Sequence, residues 1–231
     1  MRPSAKESLL KNAAALFSRS GYNAVSLRDV AKAAGVNVGS VTYHFGSKAN
    51  LLREIYARHT LPMNARRLEL LGEARRISNP DERLMAILRA YVVPAFVSSS
   101  EGDGGGAEFT RMRAVLSAEG NPDARTIIAD AFDETSRSFI EALSECLPGA
   151  SPDGLAWRSQ FLLGALYYAL INPERVTRLS NGTVNGEDRE AAVNQLVDAS
   201  YASFRSLAAS SATVDPGHEA PRENTRESIQ T

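Results

Sequence analysis

Three glycines, Gly21, Gly35 and Gly46, divide the first 46 residues into short segments that repeat apolar residues with the period of an α-helix. Glycine readily adopts the left-handed conformation that ends many helices. Residues that favour the first position before a helix follow these breaks: Ser26, Asn37 and Ser47. The pattern therefore predicts three short helices, with a fourth beginning after the last of these caps.

The second and third segments have the length and the glycine turn of a helix-turn-helix, in which one helix supports another that enters the major groove of DNA. Val41 and Phe45 lie four residues apart and are expected to point inward together. The residues left to face the groove are small or polar: Asn37, Val38, Gly39, Ser40 and Thr42. A glycine inside a helix costs about 1 kcal/mol, which closer approach to DNA would offset.

Charge is distributed unevenly along the chain. Residues 1–60 contain nine lysines and arginines against three acidic residues, whereas the whole chain has a formal net charge of −1. Such asymmetry suggests that an end which binds a polyanion is joined to a different module.

Residues 25–52 read VSLRDVAKAAGVNVGSVTYHFGSKANLL, and this stretch resembles the DNA-binding signature of the tetracycline-repressor (TetR) family. The resemblance covers about residues 5–55 and implies an all-α fold, a homodimer on a palindromic DNA operator, and a C-terminal domain for a small-molecule effector. It implies phosphate contacts for Ser26, Arg28, Tyr43, His44 and Lys48. It also implies groove contacts for Val38, Gly39, Ser40 and Thr42. Thr42 stands where the family often has tyrosine.

Each of these side chains also has a simpler structural interpretation. Tyr43 would pack on the first helix, His44 would be a surface histidine, and Lys48 would be a solvated lysine. Ser26 would only cap its helix, and Arg28 would pair with a nearby acid.

The rest of the chain predicts longer helices, one from Pro80 with Pro94 at a kink or near its end, and others at about 107–118, 122–147, 153–172 and 187–208. Residues 98–106 predict a loop, and 209–231 a disordered tail. The predicted domains are 1–50, 51–208 and this tail. Gly102, Gly104 and Ala107 loosely match a dinucleotide-binding fingerprint, but no strand precedes them, so no cofactor is expected.

Residues 161–171 form the longest apolar run, which is too short to cross a bilayer. A helix that is apolar on every side is buried on every side, either as plain core or as a face shared with a dimer partner. Its small residues permit close approach of another helix: Gly164, Ala165 and Ala169. A stripe of Val193, Leu196, Val197, Ser200, Phe204 and Leu207 marks the last helix, and the resemblance implies that the last two long helices form the dimer interface.

Candidate effector contacts are Arg111, Arg113, Trp157, Tyr167 and Tyr168, although core packing is an alternative for the aromatic residues and surface exposure for the arginines.

The single cysteine, Cys146, excludes an internal disulfide and predicts a buried thiol. No catalytic or metal-binding motif accompanies the three histidines His44, His59 and His218. The charged first turn is unlike a signal peptide. We therefore expect a soluble cytoplasmic regulator, most simply a repressor, rather than an enzyme. A protein that binds DNA without sequence preference is also not expected, because it would require more basic residues beyond the first 60.

Overall fold

The computed structural model describes residues 4–96 and 107–211, and every regular element in these two ranges is an α-helix. The helices are α1 (Ala5–Ala24), α2 (Leu27–Ala34), α3 (Val38–Phe45), α4 (Lys48–Ala74), α5 (Pro80–Phe96), α6 (Ala107–Glu119), α7 (Pro122–Cys146), α8 (Pro152–Ile171), α9 (Glu174–Leu179) and α10 (Arg189–Ser211). The all-α fold class is confirmed. The predicted loop at 98–106 lies outside the described residues.

Glycines interrupt the N-terminal helices at the three predicted positions. Gly21 breaks the helical path inside α1 with a φ of 77°, and Gly35 ends α2 in the left-handed conformation. Gly46 follows α3 with a φ of 71°. The predicted caps also form, since Ser26, Asn37 and Ser47 each accept a hydrogen bond from an amide of the following turn. Local sequence signals therefore set the bounds of α2 and α3.

Two clusters of buried apolar side chains hold the helices together. The first cluster joins α1, α2 and α3 to the first half of α4, to α6 and to the first half of α7. The second joins the end of α4 and α5 to the second half of α7, to α8 and to α10. Because α4, α6 and α7 reach into the first cluster, the three N-terminal helices rest directly on the larger helical part of the chain.

The structure differs from the sequence prediction in the lengths of two helices and in one added helix. The predicted boundary between 50 and 51 falls inside α4, which continues past Pro62 to Ala74. The helix α10 extends to Ser211, into the segment predicted as a tail, because alanine and serine continue a helix at low cost. The rest of that tail lies outside the described residues. The short helix α9 was not predicted.

Two smaller predictions are confirmed. Pro94 lies in the last turn of α5, near its end. Cys146 is buried, its Sγ lies 3.3 Å from the carbonyl oxygen of Pro80, and burial raises the pKa of its thiol. The raised pKa keeps this side chain in its neutral, unreactive form.

Candidate nucleic-acid interface

The helix α3 has one buried and one exposed face, as the sequence predicts. Val41 and Phe45 are buried in the first cluster. Val38 keeps 43% of its surface exposed, although valine is apolar and would normally be buried. The neighbouring positions on the same side are also open to solvent: Asn37, Gly39, Thr42, Tyr43 and His44 are exposed and Ser40 is half-buried. This helix therefore presents a small, largely polar surface outward.

Tyr43 is the most exposed large apolar residue of the described chain, at 86%. Its ring lies edge-on to that of His44 on the same helix, with 5.3 Å between the ring centres. The alternative that it packs on α1 is wrong. Tyr43 and His44 project together from the end of α3, where a phenol and an imidazole can meet a phosphate or a base edge.

Hydrogen bonds within α3 limit what its polar side chains have left to offer. The Asn37 side-chain oxygen accepts from the amide of Ser40 at 2.9 Å, and the Thr42 hydroxyl donates to the carbonyl of Val38 at 3.3 Å. A Cβ at Gly39 would lie 3.0 Å from that Asn37 oxygen. Glycine at this position therefore protects the cap of α3, in addition to allowing close approach of another molecule.

The start of α2 is closed by a reciprocal cap. The Ser26 hydroxyl accepts from the Asp29 amide at 3.2 Å and donates to the Asp29 carboxylate at 2.6 Å, and this carboxylate also accepts from the Ser26 amide at 2.9 Å. These bonds lower the pKa of Asp29. Because the amide and the hydroxyl of Ser26 both donate to the Asp29 carboxylate, the local role of Ser26 is to fix the start of α2. Arg28, one residue into the helix, is exposed and forms no ion pair among the described residues.

Lys48 has partners that the sequence did not reveal. Its ammonium donates to the carbonyl oxygens of Tyr22 and Val25, each at 2.9 Å, and lies 4.2 Å from the centre of the Tyr22 ring. These bonds tie the start of α4 to the end of α1. Lys48 therefore has a positioning role, and one N–H remains for the predicted phosphate.

The five candidate effector residues do not form one site. Arg113 and Tyr167 turn inward, with the Arg113 guanidinium 5.4 Å from the Tyr167 ring centre. Arg111 instead donates to the carbonyl of Leu170 near the end of α8. Trp157 and Tyr168 lie on an exposed side of α8. The apolar pattern of α8 gave no signal that would have separated the half-buried Tyr167 from the exposed Trp157 and Tyr168.

Glu119, which the sequence analysis did not single out, joins the end of α6 to the end of α1. Its carboxylate accepts from the amides of Tyr22 and Asn23 at 2.6 and 2.7 Å. The close approach requires glycine at position 21, because a Cβ there would lie 2.9 Å from a Glu119 oxygen. Glu119 and Lys48 thus hold the same short segment of chain, one through its amides and the other through its carbonyls.

Replacing Glu119 with glutamine should lower the free energy of unfolding by about 2 kcal/mol, because a charged acceptor is lost and one amide is left facing an NH2 group. Urea unfolding of the variant and of the wild type measures this difference. Glu134→Gln, an exposed glutamate on α7, is the matched control and should leave the midpoint unchanged. Equal midpoints for both variants would remove Glu119 as a structural link.

Other kinds of site find no support in the described ranges. No group of three or more histidine, cysteine, aspartate or glutamate side chains there is arranged to hold a metal ion. None of the helices described is long and apolar enough to cross a membrane.

Two family profiles match the chain. Residues 9–55 match the profile described as bacterial regulatory proteins, tetR family, and residues 89–202 match the tetracyclin repressor-like C-terminal domain. Together they match more than two thirds of the chain. The first includes α2, α3 and the cap of α4, and the second includes α6, α7, α8 and most of α10.

Among curated proteins, the HTH-type transcriptional repressor KstR2 of Mycobacterium tuberculosis is 34% identical over 82 residues, which are 36% of this chain and 40% of that protein. The regulator AcrR of Shigella flexneri is 36% identical over 94 residues, or 41% of each chain. The alignments thus span about two fifths of these relatives.

Among solved structures, a TetR-family transcriptional regulator from Bordetella parapertussis has a TM-score of 0.58 at 18% identity, covering 86% of this chain and 95% of its own. PfmR from Thermus thermophilus, another such regulator, has a TM-score of 0.54 at 18% identity, covering 85% of this chain and 97% of its own. These similarities establish the fold over most of the chain.

Proposed function

The chain belongs to the TetR family of transcriptional regulators, and from this premise we propose that it is a cytoplasmic repressor that binds a palindromic operator as a homodimer and is released by a small-molecule effector. The observation that carries the proposal is the outward face of α3. An exposed Val38 and an exposed Tyr43 are held in place by the buried Val41 and Phe45.

Different residues of this face serve different tasks on DNA. Val38, Gly39, Ser40 and Thr42 lie on the helix that enters the major groove and read base edges. Arg28, with Tyr43 and His44, contacts phosphates and fixes the orientation of α3 without reading sequence. The amides at the capped starts of α2, α3 and α4 are further donors to phosphate, although the Asp29 carboxylate weakens this role for α2.

A second copy of this chain covers α8. One side of this helix is in the second cluster through Leu162, Leu166 and Leu170, while Trp157 and Phe161 on another side are more than half exposed. A contiguous apolar face of this kind marks an interaction surface. It favours the shared face over plain core for residues 161–171. Two-fold pairing through α8 and α10 presents two α3 helices to a palindromic site.

The helix α6 gives the effector a route to the DNA-binding helices. It contributes buried side chains to the first cluster and ends at Glu119, which binds the end of α1. An effector weakens DNA binding only if it prefers the conformation that does not fit DNA. A coupling of about 1–3 kcal/mol between the two sites is typical.

The division between anchoring and reading is tested by Arg28→Ala and Ser40→Ala. Arg28→Ala should weaken binding to all duplexes alike. It should also reduce the slope of log affinity against log salt concentration by about one unit, because one phosphate contact no longer releases a counterion. Ser40→Ala should cost about 1–3 kcal/mol on the operator and little on random DNA. The measurement is the affinity of each variant for operator and random duplexes over a series of salt concentrations.

Two further variants serve as controls in the same series. Tyr43→Phe keeps the ring and removes the hydroxyl, so any loss of affinity belongs to the hydroxyl. Lys48→Ala should also lower the thermal midpoint, because two carbonyls of α1 lose their donor. The assignment is reversed if Ser40→Ala weakens both DNAs equally while Arg28→Ala changes the sequence preference.

A further inference from the structure

Two arginines are buried in the interior of the described helices. Arg67 on α4 is 1% exposed and Arg113 on α6 is 5% exposed. Among the side chains that the structure describes, no aspartate or glutamate forms an ion pair with either guanidinium. The Arg67 Nε donates to the carbonyl of Tyr91 at 3.1 Å, whereas the Arg113 Nε has no hydrogen-bond partner among the described residues.

The surroundings of these guanidiniums are aromatic. Arg113 lies 3.5 Å from the centre of the Phe132 ring, and Arg67 lies 4.4 Å from the centre of the Tyr91 ring. Two buried hydroxyls on α4 and α6 also have no hydrogen-bond partner among the described residues, namely those of Tyr56 and Thr110. Ring faces attract cations, but they supply no negative charge and accept no directed hydrogen bond of ordinary strength.

Such an arrangement is unfavourable for the chain alone. Burying a charge without a partner costs far more than burying an apolar side chain. Burial lowers the pKa of Arg67 to about 10, and the positive charge of Arg113 contributes to the lowering. Two like charges therefore oppose each other in a region that also contains unused hydroxyl donors. An anion placed between them relieves both the repulsion and the unpaired donors.

We infer that this buried region, defined by Tyr56, Arg67, Thr110, Arg113 and Tyr167, binds an organic anion that carries a carboxylate on an apolar body. The carboxylate accepts from the guanidiniums and hydroxyls, and the apolar body packs on the rings of Phe109 and Phe132. Because the inference deepens the proposed function, it rests on that function in naming this anion as the effector.

The site lies on the two helices that hold the end of α1. Arg67 belongs to α4, which begins at Lys48, and Arg113 belongs to α6, which ends at Glu119. An anion that binds both arginines fixes the spacing of α4 and α6. The carbonyls and amides of residues 22, 23 and 25, which Lys48 and Glu119 bind, then change position together. Anion binding is thereby coupled to the placement of α2 and α3.

The test is thermal unfolding of the full chain with benzoate and octanoate, each compared with its neutral amide, benzamide or octanamide. At a concentration about 100 times the dissociation constant, a carboxylate that binds should raise the midpoint by roughly 5–10 °C. The amides should give little shift. A set in which neither carboxylate shifts the midpoint, or in which the amides shift it equally, overturns the inference.

The variant Arg113→Met provides a measurement that does not depend on the choice of anion, namely its unfolding midpoint without anion. Removing one of two unpaired buried charges should leave the midpoint of the protein without anion unchanged or raise it by about 2–4 °C, and should abolish the shift with carboxylate. Arg137→Met, which removes an exposed arginine on α7, should change neither quantity. Arg113→Lys retains the charge and should retain a smaller shift with carboxylate, which decides the matter if Arg113→Met does not fold. Failure of Arg113→Lys to respond where wild type does, with Arg113→Met still responding, overturns the role of the charge.

Operator binding separates this inference from the function on which it rests. If the anion acts as effector, benzoate or octanoate should release wild type from the operator and should not release Arg113→Met, which still binds. If wild type binds no specific DNA, the proposed function fails while the unfolding experiment still decides the anion site. If carboxylates raise the midpoint but leave operator affinity unchanged, the anion site stands and its role as effector is overturned.

Discussion

Gly164→Arg is expected to convert the protein to monomers and to reduce operator affinity by about 100-fold or more. Gly164 lies on the exposed side of α8, and a Cβ at this position would meet no described atom within 4 Å. The arginine is therefore tolerated by the fold but places a charge in the proposed interface. Once the two α3 helices are no longer linked, each binds alone and the gain from double attachment is lost. Sedimentation velocity measures the first effect and operator affinity the second.

Gly72→Arg is the matched control for this prediction. Gly72 is also a helical glycine with nothing within 4 Å of its Cβ, but it lies on α4. This variant should remain a dimer and bind the operator as wild type does. Ala169 is less suitable for this test. It is half-buried and packs against the second cluster, so an arginine there would also disturb the fold. A dimer of undiminished stability from Gly164→Arg would remove α8 from the interface.

Val38→Asp is expected to abolish binding to operator and random DNA while leaving the fold intact. Val38 is exposed, so the carboxylate remains in water in the free protein. In the complex it would lie against a polyanion, and like charges at an interface cost several kcal/mol. The affinity should therefore fall by about 100-fold or more, without a change in the unfolding midpoint.

Val184→Asp is the control for the aspartate itself. Val184 is 45% exposed, close to the 43% of Val38, but it lies between α9 and α10 in a distant part of the sequence. It should bind DNA as wild type does. Val38→Asp that keeps operator affinity within threefold of wild type would show that α3 does not face DNA.

The sequence was sufficient wherever a local signal determines the structure. Positive φ at Gly35 and the capped starts of α2 and α3 follow from residues within a few positions of each other. The buried pair Val41 and Phe45 follows from helical spacing alone. These signals give the fold class and the outward face of α3, and with them most of the candidate DNA-binding residues.

Contacts between distant residues were not accessible in this way. In the sequence, Lys48 is one more basic residue near the start of a helix. Its hydrogen bonds to Tyr22 and Val25 depend on how α1 packs against α4. Glu119 lies 97 residues from Tyr22 in sequence. The length of α4 was also missed, because tertiary packing carries the helix past Pro62, where propensity alone favours a break.

The effector candidates show the same limit. Arg113 and Trp157 were equal candidates in sequence, yet one is buried and the other exposed. Arg67, buried on α4, was not a candidate, since nothing in its local pattern distinguishes it from the neighbouring exposed Arg66. The influence of the Arg113 charge on Arg67 depends on how α4 and α6 each pack against α7.

The most direct test of the proposed function is selection of DNA by the wild-type protein from a pool of random duplexes. The enriched duplexes should share an inverted repeat whose halves lie roughly one helical turn, or a small multiple of it, apart. The repeat is expected because two α3 helices, related by the two-fold axis of the dimer, read the same bases on opposite strands. An unenriched pool, or enrichment of single half-sites without symmetry, would contradict a dimeric, sequence-specific regulator.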